Sequence, residues 1–156
     1  MPIAPTLHKY LAAENIAYDE IPHVYTMTSA RAAQACHVPG DRVAKAIVLR
    51  RDGGYVLAVL PASHHLRMAE LRERLGDDVD MASEGELAEL FLDCAQGAIP
   101  AAGKCYGLDS IIEESIQNEP EIYMEAGDHE TLLHLSRAQF ARLTADAMHG
   151  RFSMHD

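Results

Sequence analysis

Short apolar runs alternate along the chain with stretches of amphipathic spacing, and this pattern predicts strands and helices in an irregular order. The most apolar and β-branched run is Val43 to Arg51, which is typical of a strand. A second such run follows at 55–61, and the Asp52-Gly53-Gly54 sequence between them is a strong hairpin signal. We therefore predict a β-hairpin made of residues 42–51 and 55–61.

Helices are predicted where apolar residues recur every three to four positions, especially after a capping residue. Ser83 followed by Glu86 has the capping-box pattern, and Ser136 is a similar start signal. The predicted helices are 6–15, 28–36, 68–75, 84–91 and 136–148, and the further predicted strands are 16–24, 108–112, 121–125 and 131–135. Residues 62–66 are expected to form a loop. This irregular order favours an α+β fold with a mixed sheet.

Lys45 is the one charged residue inside the apolar part of the first hairpin strand. One interpretation is a lysine on an edge strand, with its stem on apolar surface and its ammonium in water. The other is a fixed positive charge at the rim of a pocket, held by a rigid strand. The local sequence leaves both open.

The length of 156 residues is that of a single domain, and we expect a core over 5–146 and a flexible tail over 150–156. No apolar run approaches the roughly 20 residues that span a membrane, and the first residues do not form a signal peptide. The cysteines are odd in number, and none belongs to a CxxC motif, so we expect a reduced, cytoplasmic protein with structural thiols: Cys36, Cys94 and Cys105.

The net charge of −11 argues against a protein that grips long nucleic acid, including DNA, through its overall field. The charges are unevenly distributed, however, because the half of the chain after Arg74 is strongly acidic. Six of the 13 basic residues fall in a short portion before it: Arg31, Arg42, Lys45, Arg50, Arg51 and Arg67. This pattern still allows local contact with one end of an RNA.

Most familiar catalytic signatures are missing from the sequence. It contains no HExxH, zinc spacing, P-loop, dinucleotide fingerprint or G-x-S-x-G elbow, so we predict no metal site and no cofactor. The stretch from Asp93 to Gly103 is small, nearly uncharged and punctuated by glycine and proline. Such a loop either lets backbone N–H groups approach a ligand or simply connects two elements.

Five motifs in one order resemble the YbaK/prolyl-tRNA synthetase-associated domain family, the freestanding aminoacyl-tRNA deacylases. The resemblance extends over residues 5–145. Its motifs are Thr26-x-x-Ser29-Ala30-Arg31, Val43-Ala44-Lys45-Ala46-Ile47-Val48, Val59-Leu60-Pro61-Ala62-Ser63-His64, Gly97-Ala98-Ile99-Pro100-Ala101-Ala102-Gly103 and Glu125-Ala126-Gly127-Asp128-His129.

This resemblance implies a strongly curved, partly barrel-like mixed sheet flanked by helices, with a pocket on one side. It also implies hydrolysis of the ester that joins a wrong amino acid to the 3′ end of a tRNA. In that family, a lysine matching Lys45 holds the terminal nucleotide, and a loop matching Gly97 to Ala101 presents backbone groups to the aminoacyl carbonyl. The attacking water is aided by the ribose hydroxyl of the substrate, which agrees with the lack of a nucleophile motif here.

The resemblance assigns catalytic roles to Lys45, Gly97 and Ala98, and it places further residues near the substrate. His129 is expected near the amino acid or the ribose, with a surface turn histidine as the alternative. The other expected substrate-binding residues are Tyr25, Thr26, Met27, Ser63, His64, Ile99 and Pro100. For Tyr25 to Met27, helix entry and core packing are the alternative. Ala101 and Ala102 depart from the family pattern, in which a proline and a bulkier apolar residue are common.

Three functions are consistent with these residues. The first is a trans-editing deacylase that contacts the acceptor end of aminoacyl-tRNA, with a synthetase or elongation factor supplying further affinity. The second is a non-catalytic module of the same fold that recognises tRNA ends, nucleotides or a protein. The third is a hydrolase for another small aminoacyl ester. The sequence predicts no membrane partner.

Overall fold

A computed structural model describes residues 3–156 as ten strands and six α-helices. The helices are α1 Pro5–Ala13, α2 Ser29–Ala35, α3 Met68–Leu75, α4 Glu84–Leu90, α5 Glu114–Gln117 and α6 Arg137–Leu143. The strands are β1 Asp19–Pro22, β2 Val43–Arg51, β3 Gly54–Pro61, β4 His64–Leu66, β5 Asp80–Met81, β6 Asp109–Glu113, β7 Glu121–Glu125, β8 Thr131–Ser136, β9 Met148–Gly150 and β10 Ser153–His155. Two short 3-10 turns complete the fold, at Gly40–Arg42 and Gly103–Tyr106.

One large mixed sheet organises the molecule. Its strand order is β1-β8-β7-β2-β3-β6-β9, with β5 added to one end of β2. The β2–β7, β3–β6 and β6–β9 pairs are parallel, and the other pairs in this sheet are antiparallel. A separate ribbon is formed by β4 and β10. This architecture confirms the predicted α+β fold with a mixed sheet and flanking helices.

The central hairpin forms as its turn chemistry predicts. Asp52 and Gly53 both have positive φ angles, 38° and 77°, as a two-residue hairpin turn requires. The register runs from Arg51 opposite Gly54 to Ala44 opposite Pro61. The hairpin strands are therefore rigidly paired along their length, which gives Lys45 a fixed backbone.

Apolar residues cover both faces of this hairpin. Ala44 and Val48 belong to the larger core, together with Leu7 and Leu11 of α1. Leu49, two positions from Ile47, belongs to a second cluster that includes α3 and Phe152. Burial on both faces explains why β2 and β3 are near-continuous apolar runs instead of alternating ones.

The β2 strand has a break in pairing along the edge away from β3. On that edge, β7 pairs only with Val43 and Ala44, and β5 pairs only with Leu49 and Arg50. The edge-strand interpretation of the lysine is therefore wrong, since β2 lies inside the sheet between β3 and β7. A short window between the two partners nevertheless stays open beside Ala46.

The C-terminal segment differs from its prediction. The last helix ends at Leu143 and not near 148, and residues 148–150 and 153–155 form β9 and β10. Phe152 is 0% exposed, and the backbone N–H groups of Phe152 and Ser153 both donate to Glu113 Oε1. A buried aromatic ring and a buried carboxylate hold this segment, so the expected flexible tail is wrong.

The loop expected at residues 62–66 also differs, because β10 pairs with residues 64–66 to make β4. Within the described residues, no helix has the length and apolar character needed to cross a membrane.

Candidate functional site

The ammonium of Lys45 lies over the β4–β10 ribbon. Its Nζ donates a hydrogen bond to the carbonyl oxygen of His64, and the side chain is partly buried. Burial lowers the pKa of Lys45 from its usual value, and the negative charge of Asp156 opposes that shift. The ammonium is thus a positive charge in a partly dry setting, supported by one carbonyl and one nearby carboxylate.

Ser63 and His64 lie in the same region but make structural contacts. Ser63 Oγ donates to Asp41, and His64 Nδ1 is 2.8 Å from Ser153 Oγ. Burial lowers the pKa of His64. Both residues also contact the C-terminal segment next to Lys45, because the Asp156 N–H donates to the Ser63 carbonyl at 2.9 Å and Ser153 lies against His64.

The Gly97 loop is a tight turn fitted against its neighbours. Gly97 has a φ of +86°, and a Cβ there would lie 3.2 Å from His129 Cε1 and 3.3 Å from the Met27 carbonyl oxygen. The N–H of Ala98 already donates to the Ala95 carbonyl at 3.1 Å, and Ala98 is buried. Gly97 and Ala98 are the two residues predicted to contact the substrate through their backbone. In this structure the N–H of Ala98 is already used in the hydrogen bond that closes the turn.

His129 is a turn residue but not a surface one. It is 1% exposed and has a φ of 64°. Its Nε2 is hydrogen-bonded to the Gln96 carbonyl, and its ring centroid is 5.1 Å from that of Tyr25. The Thr26 N–H donates to the His129 carbonyl at 3.1 Å. His129 thus joins the Gly97 loop to the Tyr25–Met27 segment.

The Tyr25–Met27 segment is open to solvent. Tyr25 is 58% exposed and Met27 is 63% exposed, so core packing does not explain them. They line a broad depression of about 730 Å³ together with Arg31 and Gln34 of α2. Ile99 and Pro100, which follow Gly97 in its loop, are in contrast buried.

A pocket of about 210 Å³ lies at the break in the pairing of β2. Its lining is uncharged and comes from β2, the approach to α4 and the Gly97 loop. The lining residues are Ala46, Ile47, Val48, Met81, Ala82, Leu87, Gly97 and Ile99. This pocket is the place where the Lys45 strand and the Gly97 loop meet.

The predicted site residues therefore fall into two groups. Tyr25, Thr26, Met27, Gly97 and His129 are in mutual contact at one end. The Lys45 ammonium lies with Ser63 and His64 at the other. The pocket at the β2 window is lined by Gly97 of the first group and by Ala46, the residue that follows Lys45 on β2.

Glu125 belongs to one of the five motifs, but the sequence indicated no role for it. It is 1% exposed, and neither carboxylate oxygen has a hydrogen-bond partner within residues 3–156. Burial raises its pKa to about 7, and the charge of Asp128 adds to the shift. Thr26 Oγ1 and His129 Nδ1 are also buried, and neither has a hydrogen-bond partner among the described residues. The available signal was an acidic residue at the end of an apolar strand, directly before Ala126-Gly127.

The three cysteines carry free thiols. Burial raises the pKa of Cys94 and of Cys105 to about 12, so neither is a thiolate nucleophile at neutral pH. In the part of the chain that the structure describes, no three His, Cys, Asp or Glu side chains come together as a metal site.

Known structures share this fold at low sequence identity. One described provisionally as a trans-editing enzyme for prolyl tRNA synthetase has 20% identity and a TM-score of 0.86, covering 99% of this chain and 98% of that chain. A scaffold protein used in the computational grafting of linear epitopes has 18% identity and a TM-score of 0.86, covering 100% and 99%. A structure described provisionally as a signal transduction protein from Marinobacter aquaeolei VT8 has 17% identity and a TM-score of 0.76, covering 96% of this chain and 30% of that chain.

No curated protein matches the chain in sequence. The family model of the aminoacyl-tRNA editing domain, however, matches residues 22–143, which contain the β2 strand, the Gly97 loop and the His129 turn. The resemblance seen in the ordered motifs is thereby confirmed, and the chain belongs to the aminoacyl-tRNA editing domain family.

Proposed function

We propose that this protein is a trans-editing deacylase that hydrolyses the ester of mischarged aminoacyl-tRNA. The observation that carries the proposal is the uncharged pocket in which the Lys45 strand and the Gly97 loop meet, in a chain of the editing-domain family. A terminal phosphate on the Lys45 side and an aminoacyl ester at the pocket would use both features together.

Hydrolysis of the aminoacyl ester requires the protein mainly to position the substrate and the attacking water. Water attacks the ester carbonyl carbon, the bond from that carbon to the ribose oxygen breaks, and the proton from water ends on that oxygen. The products are a free amino acid and a tRNA with its hydroxyl restored. The neighbouring ribose hydroxyl orients the water, and orientation with oxyanion stabilisation by backbone donors supplies the acceleration.

Lys45 serves as the anchor for the phosphate of the terminal nucleotide. An ammonium is a compact point charge that suits a phosphate, and partial burial strengthens its attraction by limiting water. Gly97 offers its backbone to the aminoacyl group, and Ala98 holds the turn closed. Tyr25, Thr26, Met27 and His129 form the wall beside the Gly97 loop.

The partner is the acceptor end of aminoacyl-tRNA in the cytoplasm. The acidic surface gives little additional hold on the rest of the RNA, because a net charge of −11 opposes phosphate contacts. A synthetase or elongation factor that presents the charged end would compensate for this weakness.

The test is single-turnover deacylation of tRNAs mischarged with alanine, serine, threonine or cysteine. We expect wild type to hydrolyse some of these, and Lys45→Ala to be slower by roughly 10- to 100-fold because it loses a charge-assisted phosphate contact. Lys104→Ala is the matched control, since Lys104 is an exposed lysine paired with Asp146.

Each contrary result has a definite meaning. A folded wild type that hydrolyses none of the species would contradict the deacylase and favour the non-catalytic binding module. Equal loss in both lysine variants would remove Lys45 from its role. Faster hydrolysis of free aminoacyl esters than of aminoacyl-tRNA would favour a hydrolase for small esters.

A further inference from the structure

The open window in β2 exposes one residue's backbone, that of Ala46. Ala62 N–H donates to the Val43 carbonyl at 2.7 Å on the β3 side, so odd-numbered residues of β2 turn their peptide groups toward β3. Ala82 N–H donates to the Val48 carbonyl at 3.1 Å on the opposite edge, where even-numbered residues turn theirs. The N–H and C=O of Ala46 therefore both face the open edge.

Nothing in the described part of the chain occupies these two groups. The β7 pairing stops at Ala44, and the β5 pairing begins at Leu49. Ala46 and Ile47 line the uncharged pocket together with Gly97 and Ile99. A backbone donor and acceptor left free on a pocket wall are costly without a partner, so they mark a place for water or a ligand.

The spacing of these two groups selects the ligand chemistry. In each hydrogen-bonded pair of an antiparallel sheet, the two opposite residues form two hydrogen bonds. Each residue donates its N–H to the carbonyl oxygen of the other. An α-aminoacyl ester carries an amino group and a carbonyl on either side of one carbon, as a strand residue does. The aminoacyl group can therefore form with Ala46 the two hydrogen bonds that a residue of a neighbouring antiparallel strand would form.

We propose that Ala46 binds the aminoacyl group through its backbone, and that the protein consequently requires a free α-amino group on its substrate. The α-amino group donates to the Ala46 carbonyl, and the Ala46 N–H donates to the ester carbonyl oxygen. This inference rests on the proposed deacylase function and adds a substrate-class rule to it. An acyl group without the amine, or with the amine blocked, loses half of the pairing.

An aminoacyl group bound at Ala46 would agree with the arrangement of the neighbouring elements. Val43, on the same face of β2 as Lys45, packs with Ala32 and Ala33 of α2, so this end of β2 is fixed from that side. Gly97 and Ile99 line the same pocket as Ala46. The ester carbonyl would then lie between two backbone elements, with the Ala46 N–H as a donor for the oxyanion.

The first experiment compares RNA minihelices esterified with alanine, N-acetylalanine or propionic acid. Each enzymatic rate is divided by the spontaneous hydrolysis rate of the same ester, because the amine itself changes ester reactivity. We expect the rate enhancement to fall roughly 10- to 100-fold for the two acyl groups that lack a free amine, the range expected for losing one well-placed hydrogen bond. Equal enhancement for all three would overturn the inference while leaving the deacylase function intact.

The second experiment removes the Ala46 donor itself. Incorporation of lactic acid in place of Ala46 replaces the N–H with an oxygen and keeps the methyl side chain. We expect the deacylation rate for the alanyl minihelix to fall on the order of 100-fold, as for loss of an oxyanion donor. The same exchange at Ala30, an exposed residue in the first turn of α2, is the control. Equal rates in the two proteins would overturn the role of the Ala46 N–H.

A third measurement separates this inference from the proposed function. The amide resonance of Ala46 is followed by NMR during titration with 3′-alanylamino-3′-deoxyadenosine, which cannot be hydrolysed at an ester. The propionylamino compound is the comparison. A shift at Ala46 that is larger with the alanylamino compound supports the pairing even if no deacylation is found. No shift at Ala46 with either compound, at concentrations that perturb other site residues, would overturn it.

Discussion

Glu125 is unusual because its carboxyl group has almost no contact with solvent and no hydrogen-bond partner in the part of the chain that the structure describes. An ionised carboxylate in such a place is strongly disfavoured, so the group responds by holding its proton, with a pKa of about 7. It sits at the end of β7, where β7 separates from β2. Its titration therefore takes place directly after the last β7 residue that pairs with β2.

This burial predicts how stability depends on pH. The unfolded chain ionises Glu125 near pH 4.5 and the folded protein only near 7, so the folded state binds more protons and stability falls as pH rises between those values. The difference corresponds to about 3 kcal/mol. Glu125→Gln, which cannot ionise, should lose this dependence and be more stable than wild type at pH 8 by about 1–3 kcal/mol.

Urea unfolding at pH 5 and at pH 8 checks this prediction. Glu130→Gln is the control, because Glu130 is an exposed residue of the same turn. If wild type and Glu125→Gln showed the same change in unfolding free energy between the two pH values, the buried carboxyl would have to be charged and paired instead.

Gly97 is a residue that no side chain could replace without strain. Its positive φ and the short distances from a would-be Cβ to His129 and to the Met27 carbonyl leave no room for a side chain. Gly97→Ala should displace the loop from His129 and lower single-turnover deacylation at least 10-fold, with a loss of about 1 kcal/mol in unfolding free energy. Gly53→Ala is the matched control, since it also has positive φ but nothing within 4 Å. Equal activity losses in the two variants would contradict a site role for the Gly97 loop.

At the scale of elements, the predicted hairpin and capped helices were accessible from sequence because their signals are local. Asp52-Gly53 specifies a turn, and Ser83 with Glu86 forms the expected capping box. The C-terminal end of the chain was not accessible in this way. The burial of Phe152 depends on contacts with α3 and β3, which are distant in sequence, and a segment as short as 153–155 has no periodicity to read.

The C-terminal segment provides an element-scale prediction. Phe152→Ala should lower the unfolding free energy by about 3–5 kcal/mol, because a fully buried aromatic ring leaves a cavity. Met154→Ala, at a neighbouring but 49% exposed position, should change it by less than about 1 kcal/mol. Denaturant unfolding of the two variants decides the matter. A small effect of Phe152→Ala would mean that this segment detaches easily.

At the scale of the whole molecule, the acidic surface should limit RNA binding to few phosphates. We expect the logarithm of the binding constant for a tRNA acceptor minihelix to fall with the logarithm of salt concentration with a slope of about −2 or shallower. Titrations between 50 and 300 mM salt measure it. A slope near that of a protein with six or more phosphate contacts would contradict binding confined to the acceptor end.

Only some features of the candidate site could be predicted from the sequence, and the reason lies in the whole fold. The sequence identified Lys45 and the Gly97 loop through motifs, but the window between them depends on where two partners of β2 stop pairing. The end of β7 at Glu125 was predicted, but neither its short parallel pairing with β2 nor the two-residue β5 strand is marked in the local sequence. Ala46, an unremarkable alanine, becomes distinctive only through strand register.

The pairing of β1 with β8 has a consequence for how the chain reaches this structure. Asp19 pairs with His134, and β2 pairs in parallel with β7 across a similarly long separation. Such non-local contacts form only after large loops have closed, and loop closure costs conformational entropy before the contacts stabilise the chain. Folding should therefore be slow, in the range of about milliseconds to seconds. The window at Ala46 is bounded on one side by this β2–β7 pairing, so the pocket there cannot be complete until residues about 80 positions apart in the chain have come together.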